Sequence, residues 1–369
     1  MAENKVQNSG LEKFRKEIDS IDAEMLSLLN RRAELAIEIA HVKREASLRF
    51  HSPERERAIL ERITSQNKGP FPNDALRVIL REIISASLSL EEPLKVAYFG
   101  PEGTFTNLAA LRHFGSSAEY LPVKSIKAVF DSVEGGNAAY GIVPIENSNE
   151  GAVSYTLDMF IDYDLKIAAE VMLEVSHNLL SKSGDRSKVQ KIYSHPQPTG
   201  QCRLWLEANM PGVLILEATS TARAAELAAE DETAAAIASE LAASRYDLQF
   251  IERHIEDNRS NYTRFLVIAK DSPAKSGKDK TSILLSLKDR PGALYDVLLP
   301  FKKEKINLTK IESRPSKKRA WEYIFFIDTS GHIDEKKLKK VLDDVEEKCL
   351  FFKHLGSYPM DERSGEGKG

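Results

Sequence analysis

Along residues 11–43 the apolar positions fall into two stripes. Phe14, Ile18, Ile21, Met25, Leu28, Leu35, Ile39 and Val42 recur at steps of four and three, with a single step of seven. Such a repeat is the seam of a helix that packs lengthwise against another helix. The seam position between Leu28 and Leu35 is Arg32. A guanidinium on a buried stripe needs a partner or an anionic ligand, because an unpaired buried charge is very costly. The opposite face carries Leu26, Leu29, Ala33, Ala36, Ile37 and Ala40. The helix is therefore expected to be covered on both sides, which points to an intertwined partner chain.

Arg32 and Lys43 stand 11 residues apart, about three turns, so they point the same way with Cα atoms roughly 16 Å apart. Two long cations at that spacing can close on a small dianion. Arg15 precedes Arg32 by 17 residues, roughly 25 Å along the axis and about a quarter-turn off its face. To serve the same kind of pocket it must come from a second chain. Solvated helix charges are the ordinary fate of residues such as Arg15 and Lys43; Arg32 fits that description less well.

Ser52 followed by Pro53 predicts the start of a second helix, running to about Thr64. The turn Lys68-Gly69-Pro70-Phe71-Pro72 precedes a third helix over 74–90, with Leu76, Ile79, Leu80, Ile83, Ile84 and Leu88 inward. Beyond Pro93 the period changes. Strands at 95–100, 140–145, 191–193 and 214–216 alternate with helical stretches, the pattern of a doubly wound α/β region. Polar loops follow these strands at Glu146-Asn147-Ser148-Asn149-Glu150-Gly151, Ser194-His195-Pro196-Gln197 and Thr219-Ser220-Thr221. Ligands bind such sheets at these loops, and helix N-termini behind Asn147-Ser148 and Ser220-Thr221 can receive carboxylates. A polar linker over 271–280 leads to strand 281–287, helix 294–304, strands 306–312 and 322–328, helix 334–349 and a strand near 352–355. That βαββαβ order is ferredoxin-like.

A chain of 369 residues implies two to four domains. Net charge −4 supplies no basic field, so nucleic acid is not an expected partner. Two cysteines, Cys202 and Cys349, cannot form a disulfide framework, and no Cys/His cluster has zinc-like spacing, so no metal is expected. No apolar run is long enough to span a membrane, and the polar first ten residues lack a signal-peptide core. The expected setting is a reducing cytoplasm.

The residues Arg15, Arg32, Lys43, Arg55, Glu56 and Glu91, in this order, resemble the all-helical class of chorismate mutase. The resemblance covers about the first ninety residues and implies an intertwined homodimer or larger assembly. It implies that Arg32, with Arg15 of the neighbouring chain, holds the two carboxylates of chorismate. Lys43 and Glu91 would meet the ether oxygen and Glu56 the ring hydroxyl, with Arg55, Ser52 and Ser87 also at the substrate. The pericyclic rearrangement to prephenate needs no nucleophile or cofactor, only a folded dianion and stabilised charge on the ether oxygen. Some members carry glutamine at the Glu91 position. A glutamate there donates only when protonated, so mutase activity is expected to decline as pH rises. Glu91, beside Glu92 and Pro93, reads equally well as a helix end.

Val143-Pro144-Ile145-Glu146-Asn147-Ser148, Ser194-His195-Pro196-Gln197 and Thr263-Arg264-Phe265 resemble the motifs of prephenate dehydratase. That family has two α/β lobes around a cleft, like type-II periplasmic binding proteins; here the lobes would be 95–174 with 258–270, and 175–257. The resemblance implies Thr263 as proton donor, with Glu146, Asn147, Ser148, Gln197, Ser220, Thr221 and Arg264 lining the cleft. Taken singly, Thr263 reads as a strand residue, His195-Pro196 as a turn and Arg264 as a surface cation. Arg290-Pro291-Gly292-Ala293-Leu294 and Ile311-Glu312-Ser313-Arg314-Pro315 resemble the phenylalanine-binding motifs of the ACT regulatory domain. They imply Gly292, Ala293, Leu294, Glu312, Ser313 and Arg314 as regulatory ligand positions at an ACT dimer interface.

The expected architecture is thus multidomain. An all-α mutase region of three helices occupies 1–92, a two-lobed α/β dehydratase region 94–271, and an α+β ferredoxin-like ACT region 281–358. Together these resemble the bifunctional chorismate mutase–prephenate dehydratase family. Two rivals stand beside that reading: an arogenate dehydratase in the central region, or a non-catalytic sensor of aromatic metabolites.

Overall fold

The structure is a computed structural model describing residues 2–46, 51–315 and 323–361. It divides into two compact units, Met1–Leu94 with Phe114–Glu119, and Lys95–His113 with Tyr120–Gly369.

The first unit contains the helices Ala2–Glu45, Pro53–Gln66 and Asn73–Glu91. Ser52 caps the second helix, its hydroxyl accepting from the Arg55 amide with Pro53 at the first turn, as the sequence predicts. The loop to the third helix is closed by the Asn67 side chain, which donates to the Phe71 carbonyl at 2.8 Å and to Asn73 at 2.7 Å. Ala36 and Ala40 of the long helix are buried, as are Ile84 and Ser85 of the third. Small side chains let two helix backbones approach closely.

Within one chain the two apolar faces of the long helix are not both covered. In the single chain Phe14, Leu28 and Val42 are each 63% exposed. The apolar seam residues on either side of Arg32 stay exposed, while the third helix packs on Ala36 and Ala40 and is reached by Arg32. Ile79, expected inward, is exposed as well.

Among the described residues the second unit holds three sheets. The first orders its strands Glu119–Val123, Lys95–Phe99, Tyr140–Asn147, Tyr262–Ala269 and Lys166–Glu174, with the short strand Gly151–Ala152 paired to Tyr140–Asn147. The second runs Gln249–Glu252, Asn178–Ser181, Ala234–Ala238, Lys191–Ser194, Leu214–Glu217. The chain leaves the first sheet after Glu174 and re-enters it at Tyr262, which makes two lobes joined by two crossings. Phe130, Phe160, Ile142 and Ile145 fill the core of the first lobe. The second is packed with alanine: Ala234–Ala238 is wholly buried against Ala224, Ala225 and Ala228.

The third sheet runs Leu308–Pro315, Tyr323–Ser330, Asp279–Ser286, Phe351–Pro359, with helices Ala293–Lys303 and Lys336–Glu346. In order of appearance its strands lie 2-3-1-4, the ferredoxin-like arrangement that the βαββαβ pattern predicts. Residue 322, expected in the third of these strands, lies outside the described residues. The linker expected over 271–280 ends early. Asp279 and Lys280 are already buried in the strand, and the amides of Ser276 and Gly277 donate to Asp279. The last strand also runs further than predicted, to Pro359. Within it Gly356 has φ +148°, and a Cβ there would stand 2.4 Å from the Ile167 carbonyl oxygen. Only glycine lets this strand cross the Lys166–Glu174 strand so closely.

Candidate functional site

In the helical unit, one groove between the long helix and the third gathers four of the predicted residues. Ser87 and Glu91 lie one turn apart on the third helix, on the face that begins at Ile83. Arg32 donates to the Ile83 carbonyl at 3.2 Å and to the Ser87 hydroxyl, which itself donates to Ile83 at 2.7 Å. Three turns along, the Lys43 ammonium meets the Glu91 carboxylate at 2.9 Å, and that carboxylate side chain is only 8% exposed. Burial pulls the Arg32 guanidinium below its ordinary pKa, and the nearby Glu91 charge opposes the shift. The start of the second helix brings Ser52 and Glu56, with His51 Nε2 lying 3.3 Å from Glu56. Arg15 and Arg55 are exposed.

The second unit has a tighter cluster. Strand register pairs Thr263 with Asn147 and Arg264 with Glu146. Because side chains alternate across a strand, the first pair and the second face opposite ways. Asn147 Nδ2 donates to Thr263 Oγ1 and to Asn261 Oδ1, both at 2.8 Å. Its Oδ1 accepts from the amides of Asn149 at 3.0 Å and Glu150 at 3.1 Å. Two backbone donors on one atom settle which end of the amide is oxygen. Thr263 Oγ1 therefore accepts from Asn147 and keeps its own proton for another acceptor. Ser148 locks the neighbouring backbone, accepting from the Tyr262 amide at 3.0 Å and donating to the Ser260 carbonyl at 3.2 Å.

The network extends into the second lobe. Gln201 Oε1 accepts from Asn261 Nδ2 at 3.1 Å and lies 2.8 Å from His177 Nε2, while Gln201 Nε2 donates to Glu150 at 3.3 Å. With that oxygen as acceptor, Nε2 of His177 carries the proton. Its buried Nδ1 has no hydrogen-bond partner. Burial pulls the His177 pKa down, consistent with a neutral ring held against the edge of Phe105 at 5.6 Å between centroids.

Three of the residues expected in the cleft stand apart from the Thr263 hydrogen-bond network in the single chain. Glu146 is not on the Thr263 face: its carboxylate lies 2.8 Å from Lys310 of the third sheet. Arg264 is likewise turned away. It is buried and donates to Glu170 at 2.7 Å, Asp328 at 2.6 Å and the Tyr358 hydroxyl at 2.9 Å. Both placements follow from the two-residue period of the strands, since each residue is next in sequence to one facing the cluster. Gln197 is exposed at the start of the short helix Pro196–Gln201, and the glutamine in the network is Gln201, one turn on. Two glutamines on one helix face carry no local signal that separates them. Asn261, His177 and Glu150 were also missed; each is an ordinary loop or strand-end residue until the lobes come together.

Ser220 caps the helix Thr221–Ala229, accepting from the Arg223 amide at 3.0 Å, and Thr221 is buried in its first turn. No helix follows Asn147-Ser148 directly. The chain makes a turn on Asn147 Oδ1 and the short strand Gly151–Ala152 before the helix Ser154–Asp162.

In the third sheet Gly292, at φ +81°, heads the helix Ala293–Lys303, with Arg290 paired to Asp296 at 2.6 Å. Along Leu308–Pro315, Ile311 and Ser313 are exposed, Glu312 is half-buried and Arg314 is buried. Arg314 does not turn toward the Gly292 loop. It pairs with Asp158 at 2.7 Å and donates to the Ser154 carbonyl, both in the first lobe. Among the described residues no helix is long and apolar enough to cross a membrane, and no group of three or more His, Cys, Asp and Glu side chains could hold a metal ion.

Comparison with known proteins follows the same division. Residues 14–92 match the family model for chorismate mutase type II, 96–273 that for prephenate dehydratase, and 281–347 that for the ACT domain. The chain is 54% identical over 353 residues to the bifunctional chorismate mutase/prephenate dehydratase of Aquifex aeolicus, covering 95% of this chain and 98% of that protein. It is 44% identical over 356 residues to the protein of the same description from Pseudomonas aeruginosa, covering 95% and 97%. Among solved structures it resembles the prephenate dehydratase of Arthrobacter aurescens in complex with L-Phe. That match has TM-score 0.67 and 32% identity, over 72% of this chain and 90% of that one.

Proposed function

The chain belongs to the bifunctional chorismate mutase/prephenate dehydratase family, and from that premise we propose how its two reactions and their control are assigned to residues. The enzyme rearranges chorismate to prephenate and converts prephenate to phenylpyruvate, under the control of an ACT domain in phenylalanine biosynthesis. We assign the mutase to 1–92, the dehydratase to 94–271 and the regulatory domain to 281–358.

The mutase site is the groove of Arg32, Lys43, Ser87 and Glu91. Arg32 takes one carboxylate of chorismate, and Arg15 of a second copy takes the other. Lys43 stabilises the charge that grows on the ether oxygen as the carbon–oxygen bond breaks; Glu91 either orients Lys43 as a carboxylate or donates when protonated. Ser52, Arg55 and Glu56 stand at the ring hydroxyl. Support for the second copy comes from the apolar seam through Leu28, exposed in the single chain, because an exposed contiguous apolar face marks an interaction surface. The protein works in the cytoplasm as a homodimer or larger.

The dehydratase site is the Thr263 cluster. Loss of the ring hydroxyl requires a proton; it departs as water while the carboxylate leaves as carbon dioxide and the ring becomes aromatic. The observation that carries this reading is the hydrogen bond from Asn147 to Thr263, which leaves the threonine proton as the one available for donation. A hydroxyl is a weak acid in water, so its effect depends on orientation and exclusion of solvent. Ser148, Gln201, Ser220 and Thr221 hold the substrate. Phenylalanine, the ligand of the A. aurescens structure, binds the ACT domain around Gly292, Ala293, Leu294, Glu312 and Ser313. It acts by favouring a less active arrangement.

The test is to supply chorismate alone and follow prephenate and phenylpyruvate with and without phenylalanine. Both products should appear, phenylpyruvate later and suppressed by phenylalanine. Prephenate that accumulates unconverted would refute the dehydratase assignment and direct attention to arogenate as substrate. Untouched chorismate would refute the mutase assignment.

A further inference from the structure

Each of the two residues at the heart of the dehydratase cluster has a chain neighbour held by the regulatory sheet. Thr263 is followed by Arg264, and Asn147 is preceded by Glu146. Arg264 reaches Asp328 at 2.6 Å, on the strand Tyr323–Ser330. Glu146 reaches Lys310 at 2.8 Å, on the strand Leu308–Pro315; the lysine side chain is 9% exposed with its ammonium nitrogen buried, and the contact is an ion pair lying off the hydrogen-bond axis. From these contacts we propose that the regulatory sheet positions the dehydratase proton donor, with Lys310 and Asp328 acting as positioning residues through Glu146 and Arg264. The proposal rests on the assignment of the Thr263 cluster as the dehydratase site.

The physical basis is that buried charges tolerate few arrangements. The side chains of Arg264, Lys280, Glu170 and Asp328 are at most 7% exposed, and breaking a buried pair leaves a charge with no water to solvate it. Glu170 is shared by Arg264 and Lys280, each at 2.7 Å, and Asp328 also accepts from Ser282. Burial alone pulls the Arg264 pKa down, but Asp328, Tyr358 and Glu170 outweigh it and hold the guanidinium well above its ordinary value. The group stays charged and the linkage stays fixed. The crossing at Gly356, where any Cβ would collide with the Ile167 backbone, leaves the two sheets little room to slide.

The strand that carries Lys310 also carries Glu312 and Ser313, and its Arg314 anchors the helix Ser154–Asp162. Any displacement of this strand on binding an amino acid therefore pulls on Glu146, and with it on Asn147 and the oxygen of Thr263. A rigid strand transmits such a shift without needing a separate relay.

The experiment uses the full chain, with turnover of chorismate as an internal control from the other unit. Lys310→Met should lower kcat for prephenate about 100-fold, the scale of a misplacement of about 1 Å at a reacting group. KM should stay within about twofold, because substrate contacts are kept. Lys310→Arg should restore most of kcat, and the residual rate of Lys310→Met should no longer respond to phenylalanine. Glu146→Gln breaks the same link from its exposed side and serves should Lys310→Met fold poorly. The double variant should be no slower than the worse single, because both remove one interaction. Wild-type kcat in both single variants would overturn the proposal, as would losses that multiply in the double. A wild-type chain that leaves prephenate untouched sinks the site assignment and the proposal with it. A wild-type chain that turns prephenate over, matched by both single variants, sinks the proposal alone.

Discussion

The Thr263 cluster and the Arg32 groove contrast in how much of each the single chain supplies. Thr263, Asn147, Asn261 and Gln201 are tied to one another by hydrogen bonds drawn from both lobes. The Arg32 groove has one wall from the third helix, while the apolar seam on either side of Arg32 lies open, with Phe14, Leu28 and Val42 exposed. One long helix cannot bury two opposite faces against one short partner. A two-lobed α/β fold can assemble a cleft from its own crossings. On the proposal that a second copy completes the mutase site and that the dehydratase site is built within one chain, the two activities should respond differently to substitution and to dissociation.

The sharpest way to separate them is Thr263→Val. Removing the proposed proton donor should cost about 10²–10⁴-fold in prephenate turnover while leaving chorismate rearrangement at its wild-type rate. Equal loss of both activities would show that the variant misfolds or that Thr263 is structural.

Next in size, Arg32→Ala and Arg15→Ala should each reduce mutase activity by about 10²-fold or more, without touching the dehydratase. Co-expressing the two variant chains should restore roughly a quarter of wild-type mutase activity, since mixed dimers hold one intact site of two. Failure of the mixture to recover would mean that both arginines act within one chain.

A smaller effect concerns pH. The Lys43 ammonium and the Glu91 carboxyl group stand 2.9 Å apart. If Glu91 must donate to the ether oxygen, mutase activity falls with rising pH and Glu91→Gln flattens the profile. Identical profiles for the two proteins would leave Lys43 as the only donor there.

The smallest expected effect is on stability. Burial, with a contribution from Lys166, pulls His354 down from 6.5 to about 4. Between those values the unfolded chain binds a proton that the folded chain does not, so stability rises with pH and is lost as pH falls through this window. His354→Gln should reduce the fall in Tm between pH 7 and pH 5 by a few degrees. An unchanged difference would show that His354 titrates normally in the folded protein.

The order of helices and strands was legible because it depends on local periods. The heptad from Phe14 to Val42, the Ser52-Pro53 start and the βαββαβ run each needed only neighbours in sequence. The residue types of the two sites were legible as well, since Arg32 sits where an apolar residue belongs. Orientation was less accessible. Glu146 and Arg264 stand beside Asn147 and Thr263 in sequence, yet a strand sends adjacent side chains to opposite faces, and only the paired register shows which face is which.

By itself, then, the sequence determined three regions, their element order and the chemistry on offer: cations on a helix for a dianion, and a hydroxyl with an amide on strands. Only the tertiary structure decided that Gln201 rather than Gln197 joins Asn261 and His177, that Glu146 and Arg264 reach the regulatory sheet, and that Arg314 reaches from it to the first lobe. The physical reason is that ion pairs and hydrogen bonds between residues some 60 to 160 positions apart depend on how sheets cross. That crossing is set by packing over the whole unit, which no local pattern encodes.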